Sequence, residues 1–171
     1  KNLLLIFLIP IHQTLKQHTH TTSLEINFSA LKHNLSFFRN SINNKTKLLC
    51  MVKAQSYGSG LEKTAVFLQD QGVDYLGVAC SDEGVELRKS GITLPILVLN
   101  VEPESFRSCI LHKLEPAIYS FSQLDLFIRE LIYMKRGSHP IHIKFDTGMH
   151  RLGFDSKDVS KVIQMVQAQP E

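Results

Sequence analysis

The sequence predicts an α/β fold on a parallel sheet, and three observations carry that prediction. Short apolar runs recur at intervals of about 20–25 residues, segments with helical spacing lie between them, and glycines stand where those helices would stop. Leu24-Glu25-Ile26-Asn27-Phe28 alternates apolar and polar residues, the pattern of a half-exposed strand. Ser29 can cap the helix that follows, in which Leu31, Leu35 and Phe38 recur at helical spacing as far as Arg39. After a loop from Asn40 to Asn44, Leu48-Leu49-Cys50-Met51-Val52 is a continuous apolar run, as expected of a strand buried on both faces.

The alternation then repeats. A helix over Leu61–Gln71 stops at Gly72, strand Tyr75–Ala79 follows, and helix Asp82–Lys89 ends at Ser90-Gly91. Strand Ile96–Leu99 leads to a helix from Pro103 to His112, with the proline at a tolerated early position. Strand Ala117–Tyr119, helix Gln123–Lys135 stopped near Gly137, strand Ile141–Phe145 and a last helix over Lys157–Ala168 complete the pattern. From Leu48 onward, five strands alternating with helices require right-handed crossovers and a parallel sheet. A doubly wound sheet announces itself by a Gly-rich turn after its first strand. Tyr57-Gly58-Ser59-Gly60 has only two glycines and no G-x-G-x-x-G. A full (β/α)8 barrel takes about 250 residues. Five units therefore correspond to an incomplete (β/α)8 TIM barrel, occupying residues 23–171.

Composition supports one ordinary globular core. The 171 residues are 43% hydrophobic and 20% charged, which argues against a disordered tail or a fibrous rod. Nineteen basic against 16 acidic side chains leave a net charge of +3, spread along the chain, so no nucleic-acid partner is expected. Cys50, Cys80 and Cys109 form no close pair; three buried thiols in a reducing compartment are expected, with a cytoplasmic location and no metal site. Residues 1–22 read as an upstream segment or linker. Leu3–Ile9 is far shorter than the ~20 residues of a membrane-spanning helix, so no membrane partner is expected. It is either a buried element end from something upstream or the apolar core of a signal peptide without a cleavage site. His18 and His20 lack a third ligand nearby and suit a linker. The chain begins at Lys1 rather than Met, and Gln169-Pro170-Glu171 follows a helical pattern without a cap, so a longer parent chain is expected.

Two places carry chemistry. Lys53 follows the Leu48–Val52 run directly, and the carboxyl ends of parallel strands are where α/β proteins build sites. A lysine partly desolvated there is a nucleophilic amine able to bond an aldehyde, pyridoxal phosphate being the commonest. The other reading is a strand-end lysine that reaches water. Tyr57 offers a hydroxyl nearby, and the small residues of Ala54–Gly60 leave room for a ligand. The second place is His142-Ile143-Lys144-Phe145-Asp146, where strict alternation puts His142, Lys144 and Asp146 on one face. That face is either a polar barrel interior near a catalytic end or the solvated side of an edge strand. Arg151, in the loop Thr147–Gly153, has a fork suited to a carboxylate or phenolate.

Met51-Val52-Lys53-Ala54-Gln55-Ser56-Tyr57-Gly58-Ser59-Gly60 closely resembles the cofactor-lysine signature of alanine racemases, and Lys144–Phe154 resembles the second signature of the same family. Leu24–Leu35 and Asp74–Lys89 resemble its opening and second strand–helix units, so the resemblance runs from Leu24 to Ala168. Gln55-Ser56 and Ser59 are mild departures from the family pattern. The resemblance implies an isomerase of two domains, a barrel carrying pyridoxal 5'-phosphate and then a β-rich domain beyond this chain, acting as a homodimer. It would interconvert L-alanine and D-alanine for peptidoglycan synthesis, with serine left open as a substrate.

It further implies that Lys53 is the catalytic lysine and holds the cofactor covalently, that Tyr57 contacts its phosphate, and that Arg151 binds near its phenolic oxygen and the substrate carboxylate. Lys144 matches a lysine that many members carry as a carbamate. The group acting on the opposite face would be a tyrosine of the β-rich domain, so the 171-residue chain alone is expected not to racemise alanine. Two alternatives share the barrel: the racemase half of a fusion with a cell-wall peptide ligase, and a non-catalytic pyridoxal-phosphate-binding barrel. The loop Asp146–Gly153 argues against the latter.

Overall fold

The structure, a computed structural model, describes residues 24–168. The Leu3–Ile9 run, the His18/His20 pair and the proposed linker 1–22 lie outside the described residues. Strands β1 (Leu49–Met51), β2 (Tyr75–Val78), β3 (Ile96–Val98), β4 (Glu115–Ile118) and β5 (His142–Ile143) form a five-stranded sheet in that order. All four pairings are parallel, aligning Cys50 with Leu76, Leu76 with Ile96, Val98 with Pro116, and Ile118 with Ile143. Strands added in chain order make a barrel wall; a doubly wound sheet would reverse its order partway. The helices are α1 (Phe28–Ser41), α2 (the single turn Lys53–Tyr57), α3 (Leu61–Asp70), α4 (Ser81–Lys89), α5 (Phe106–Leu111), α6 (Phe121–Tyr133) and α7 (Val159–Gln167). No helix among the described residues is long and apolar enough to cross a membrane.

The two faces of the sheet differ. Leu76, Val78, Ile96, Val98 and Ile118 are fully buried in one core with Leu61 and Ala65 of α3, Leu87 of α4, Phe106 of α5 and Phe127 of α6. Each such large side chain contributes about 1.5–3 kcal/mol by leaving water. The alternate positions, Leu49, Met51, Tyr75, Leu97 and His142, stay partly exposed on the open face. Leu49 is 36% exposed, so the expectation that the first strand is buried on both faces is overturned. It lies at the sheet edge, and only its helix side is covered. On the open face, at the amino ends of their strands, His142 Nε2 lies 2.7 Å from Glu115 Oε2 and packs edge-on against Tyr75. Burial, and then the Glu115 carboxylate, push the Tyr75 hydroxyl up.

Element boundaries follow local hydrogen bonds. Leu24–Asn27 forms no strand, because it has no sheet neighbour to pair with, and α1 begins at Phe28. Asn27, not Ser29, caps it: its side-chain oxygen accepts the Ala30 N–H at 2.9 Å. Ser120 caps α6 by accepting the Gln123 N–H, so that helix starts two residues before the expected position. A 3-10 turn, Pro103–Ser105, takes the first part of the expected Pro103–His112 helix. β4 begins at Glu115-Pro116, two residues that conceal a strand start because both are rare in strands. Asp74 accepts from the Leu48 N–H at 2.7 Å and pairs with Arg39 at 2.9 Å, which ties α1 to the start of β1. Arg88 donates to the carbonyls of Ile92, Leu94, His112 and Lys113, fastening α4 to the chain entering β3 and β4. Of the cysteines, Cys109 is buried, with its thiol pushed up to about 12, and Cys50 is half-buried. Cys80 is exposed at the start of α4, which corrects the expectation of three buried thiols.

Candidate active site

The sheet ladder runs through Val52, whose N–H donates to the Gly77 carbonyl at 2.8 Å, and the chain then turns at Lys53. Ala54, Gln55, Ser56 and Tyr57 all have φ between +51° and +56°. A left-handed turn made of non-glycine residues costs about 1–2 kcal/mol per residue and persists only where the surroundings impose it. Within the loop, Ser56 N–H donates to the Val52 carbonyl at 2.9 Å, and the Gln55 carbonyl accepts from Gly58 at 3.1 Å and Gly60 at 2.9 Å. From outside, Glu83 Oε1 accepts the Ala54 N–H at 2.6 Å, while Oε2 accepts the Ala79 N–H at 2.8 Å. The sequence places Glu83 in a helix and assigns it no task. The signal was its position, three residues after the Cys80 cap, where an acidic side chain turns back to free N–H groups. Lys53 and Tyr57 thus bracket one stiff turn. Lys53 is half-buried and Tyr57 is 68% exposed.

The second loop leaves β5. Lys144 N–H extends the ladder to the Ile118 carbonyl at 2.8 Å. The chain then doubles back: Asp146 N–H donates to Phe154 at 3.0 Å, and Phe154 N–H donates to Lys144 at 2.9 Å. Asp146 Oδ1 accepts the N–H groups of Gly148 and His150 at 2.9 and 3.0 Å, and these bonds hold its carboxyl below the usual carboxylate range. Gly153 has φ +142°, and a Cβ there would sit 2.3 Å from the Asp146 nitrogen, so only glycine fits the return. Arg151 is exposed on this loop and Lys144 is half-buried at its root.

The expected common face of His142, Lys144 and Asp146 does not form one cluster. His142 is bonded to Glu115 and Asp146 is turned to its own loop. Lys53 and Tyr57 follow β1, while Lys144 and Arg151 follow β5, at the two outer strands of the sheet. All four leave from the carboxyl end of a strand. Among the described residues, no hydrogen bond or ion pair joins the two loops or occupies the tips of these four side chains. Two amines, a phenol and a guanidinium therefore stand available on one rim. Together they suit an aldehyde and planar or tetrahedral anions.

Relatives share this architecture. Residues 26–171 match the family described as alanine racemase, N-terminal domain. An alanine racemase of Synechocystis sp. is 38% identical over 151 residues, covering 86% of this chain and 40% of the relative. An amino-acid racemase of Enterococcus faecalis is 38% identical over 152 residues, covering 86% of this chain but 20% of the relative. Among solved structures, alanine racemase of Clostridium difficile 630 superposes with a TM-score of 0.79 at 33% identity, covering 84% of this chain and 38% of that one. Its complex with cycloserine gives 0.78 at 34% identity, covering 82% of this chain and 39% of that one. The chain thus spans about 40% of the length of the alanine racemase from Synechocystis. With the match running through all five strands and both rim loops, the chain belongs to the alanine racemase N-terminal domain family.

Proposed function

We propose that this chain is the cofactor-binding part of a pyridoxal-phosphate-dependent alanine racemase, an isomerase interconverting L-alanine and D-alanine. The observation that carries the reading is the uncommitted Lys53 amine, set at the carboxyl end of β1 on a turn whose conformation is imposed by its neighbours. The residues present fit the cofactor by the chemistry of their donors: Lys53 for an aldehyde, Tyr57 for a phosphate oxygen and Arg151 for a phenolic oxygen. Gly58 and Gly60 leave the backbone bare beside them, since a Cβ at either would meet nothing within 4 Å. When bound, pyridoxal phosphate supplies an aldehyde that bonds an amine and a ring that delocalises the electron pair left by a departing α proton.

In this reading Lys53 Nζ anchors the cofactor and then takes or returns the α proton on one face of the amino acid. Tyr57 Oη donates to the phosphate. The Arg151 fork holds the alanine carboxylate, fixing which face meets Lys53. Lys144, as a carbamate, steadies Arg151: an ammonium beside the guanidinium would repel it, whereas a carbamate attracts it. The opposite face takes its proton-transfer group, a tyrosine, from a β-rich domain across a homodimer. The enzyme works in the cytoplasm and its D-alanine feeds peptidoglycan.

The test is alanine racemisation by the holoprotein that carries this chain, followed by chiral assay. Lys53→Ala abolishes it. Arg151→Lys keeps the charge but loses the fork, so kcat/KM falls by about tenfold or more. Unchanged kinetics for Arg151→Lys would make Arg151 a plain loop residue.

A further inference from the structure

We propose that Glu83 is the positioning residue for Lys53, clamping the left-handed turn that fixes where the lysine amine stands. The proposal rests on the reading of Lys53 as the cofactor lysine and adds a residue from the neighbouring β/α unit to that site. Glu83 sits in the first turn of α4, and its two carboxylate oxygens take different tasks. One accepts from Ala79, just beyond the end of β2, which is ordinary service to a helix start. The other crosses to the loop after β1 and accepts from Ala54, the residue bonded to Lys53. A carboxylate suits this bridge because both partners are donors and it carries acceptors only. At 2.6 and 2.8 Å both contacts are short, as charge-assisted bonds are.

The need for such a clamp lies in the turn. Four successive non-glycine residues hold positive φ, starting at Ala54. Inside the loop, Ser56 N–H closes back on the Val52 carbonyl, and the other bonds, from Gly58, Ser59 and Gly60, lie at its far end. The Ala54 N–H, where Lys53 leaves the sheet, has its partner outside the loop, in Glu83. Released there, Ala54 returns to the favoured right-handed or extended regions, and the Lys53 side chain swings with it. Glu83→Gln is the discriminating change. An amide has one acceptor oxygen and turns N–H groups toward the second donor, so one arm must break while size and shape are kept.

The experiment compares the unsubstituted chain, Glu83→Gln, Glu83→Ala and Asp82→Asn. Asp82 lies in the same helical turn and makes neither bond, so its variant controls for charge at the helix start. Each protein is titrated with pyridoxal phosphate, reduced with borohydride and peptide-mapped, and its thermal melting is recorded. The expected result is that both Glu83 variants need about tenfold or more cofactor for half-maximal labelling of Lys53. The fraction of label on other lysines rises, while Asp82→Asn matches the unsubstituted chain. Equal labelling of Lys53 in Glu83→Gln and the unsubstituted chain, or an equal loss in Asp82→Asn, overturns the proposal. Amide hydrogen exchange is read on the same proteins without cofactor. The Ala54 amide should lose protection in the Glu83 variants while the amides of β2 keep theirs, and unchanged protection at Ala54 also overturns the proposal. If the unsubstituted chain carries no label on Lys53, the cofactor reading fails, and the exchange data alone decide whether Glu83 clamps the turn.

Discussion

The loops after β1 and β5 both pass through left-handed backbone at the carboxyl rim, and they do so by opposite means. The β5 loop uses residues that suit the conformation. Gly148 and Gly153 take the most extreme φ values, +123° and +142°, His150 is its single non-glycine residue at positive φ (+53°), and the Asp146 side chain closes the turn from within. The β1 loop forces Ala54, Gln55, Ser56 and Tyr57 into positive φ without a glycine among them, and its near end is gripped by Glu83 from the next unit. One loop is self-contained and carries an exposed arginine. The other stores strain held from outside and carries the lysine. The contrast teaches that Lys53 is positioned by tertiary structure, whereas Arg151 is presented by a locally closed turn.

The largest expected effect breaks the self-contained loop. Gly153→Ala places a Cβ against the Asp146 backbone and should lower stability by about 2–4 kcal/mol, measured by urea unfolding. The mirror-image change in the other loop should have the opposite sign. Ala54→Gly removes left-handed strain of about 1–2 kcal/mol, partly offset by the entropy glycine adds to the unfolded chain, for a net gain of about 0.5 kcal/mol. A loss of stability in Ala54→Gly would mean that the turn is relaxed and would dissolve the contrast.

The smallest effect is a response to acid. Asp146 is lowered in the folded state by the Gly148 and His150 N–H groups, so its contribution is present above the ordinary carboxylate range and lost as pH falls through the lowered value. Amide exchange at Gly148 and His150 should therefore accelerate on acidification below that range, and Asp146→Asn should remove the pH step. Asp146→Asn should leave amide exchange at Ala54 unchanged, and a change there would contradict the distinction.

How much of this was legible in the sequence divides along the same line. The strands that pack against helices, such as Leu48–Val52 and Ile96–Leu99, announce themselves because their apolar runs answer to burial. Lys53 is legible because it ends such a run. Leu24–Phe28 has equally good alternation and is not a strand, since alternation describes a face and a strand also needs a neighbour to pair with. The left-handed turn is invisible in Ala-Gln-Ser-Tyr, which carries none of the usual residues for positive φ. Glu83 could be read as a helix-start acid, but its second bond spans 29 residues and exists only once two strands lie side by side. Strand alternation places Asp146 as one of three side chains on a strand face. It acts instead as a turn closer, which strand periodicity does not describe.

The central claim is that the loop after β1 presents one particular amine to the cofactor. The direct test is to add pyridoxal phosphate to this chain, reduce with borohydride and locate the label by peptide mapping. The account predicts label concentrated on Lys53 and lost in Lys53→Ala. Label that spreads evenly over the surface lysines, or that settles on Lys144 and survives Lys53→Ala, would contradict it.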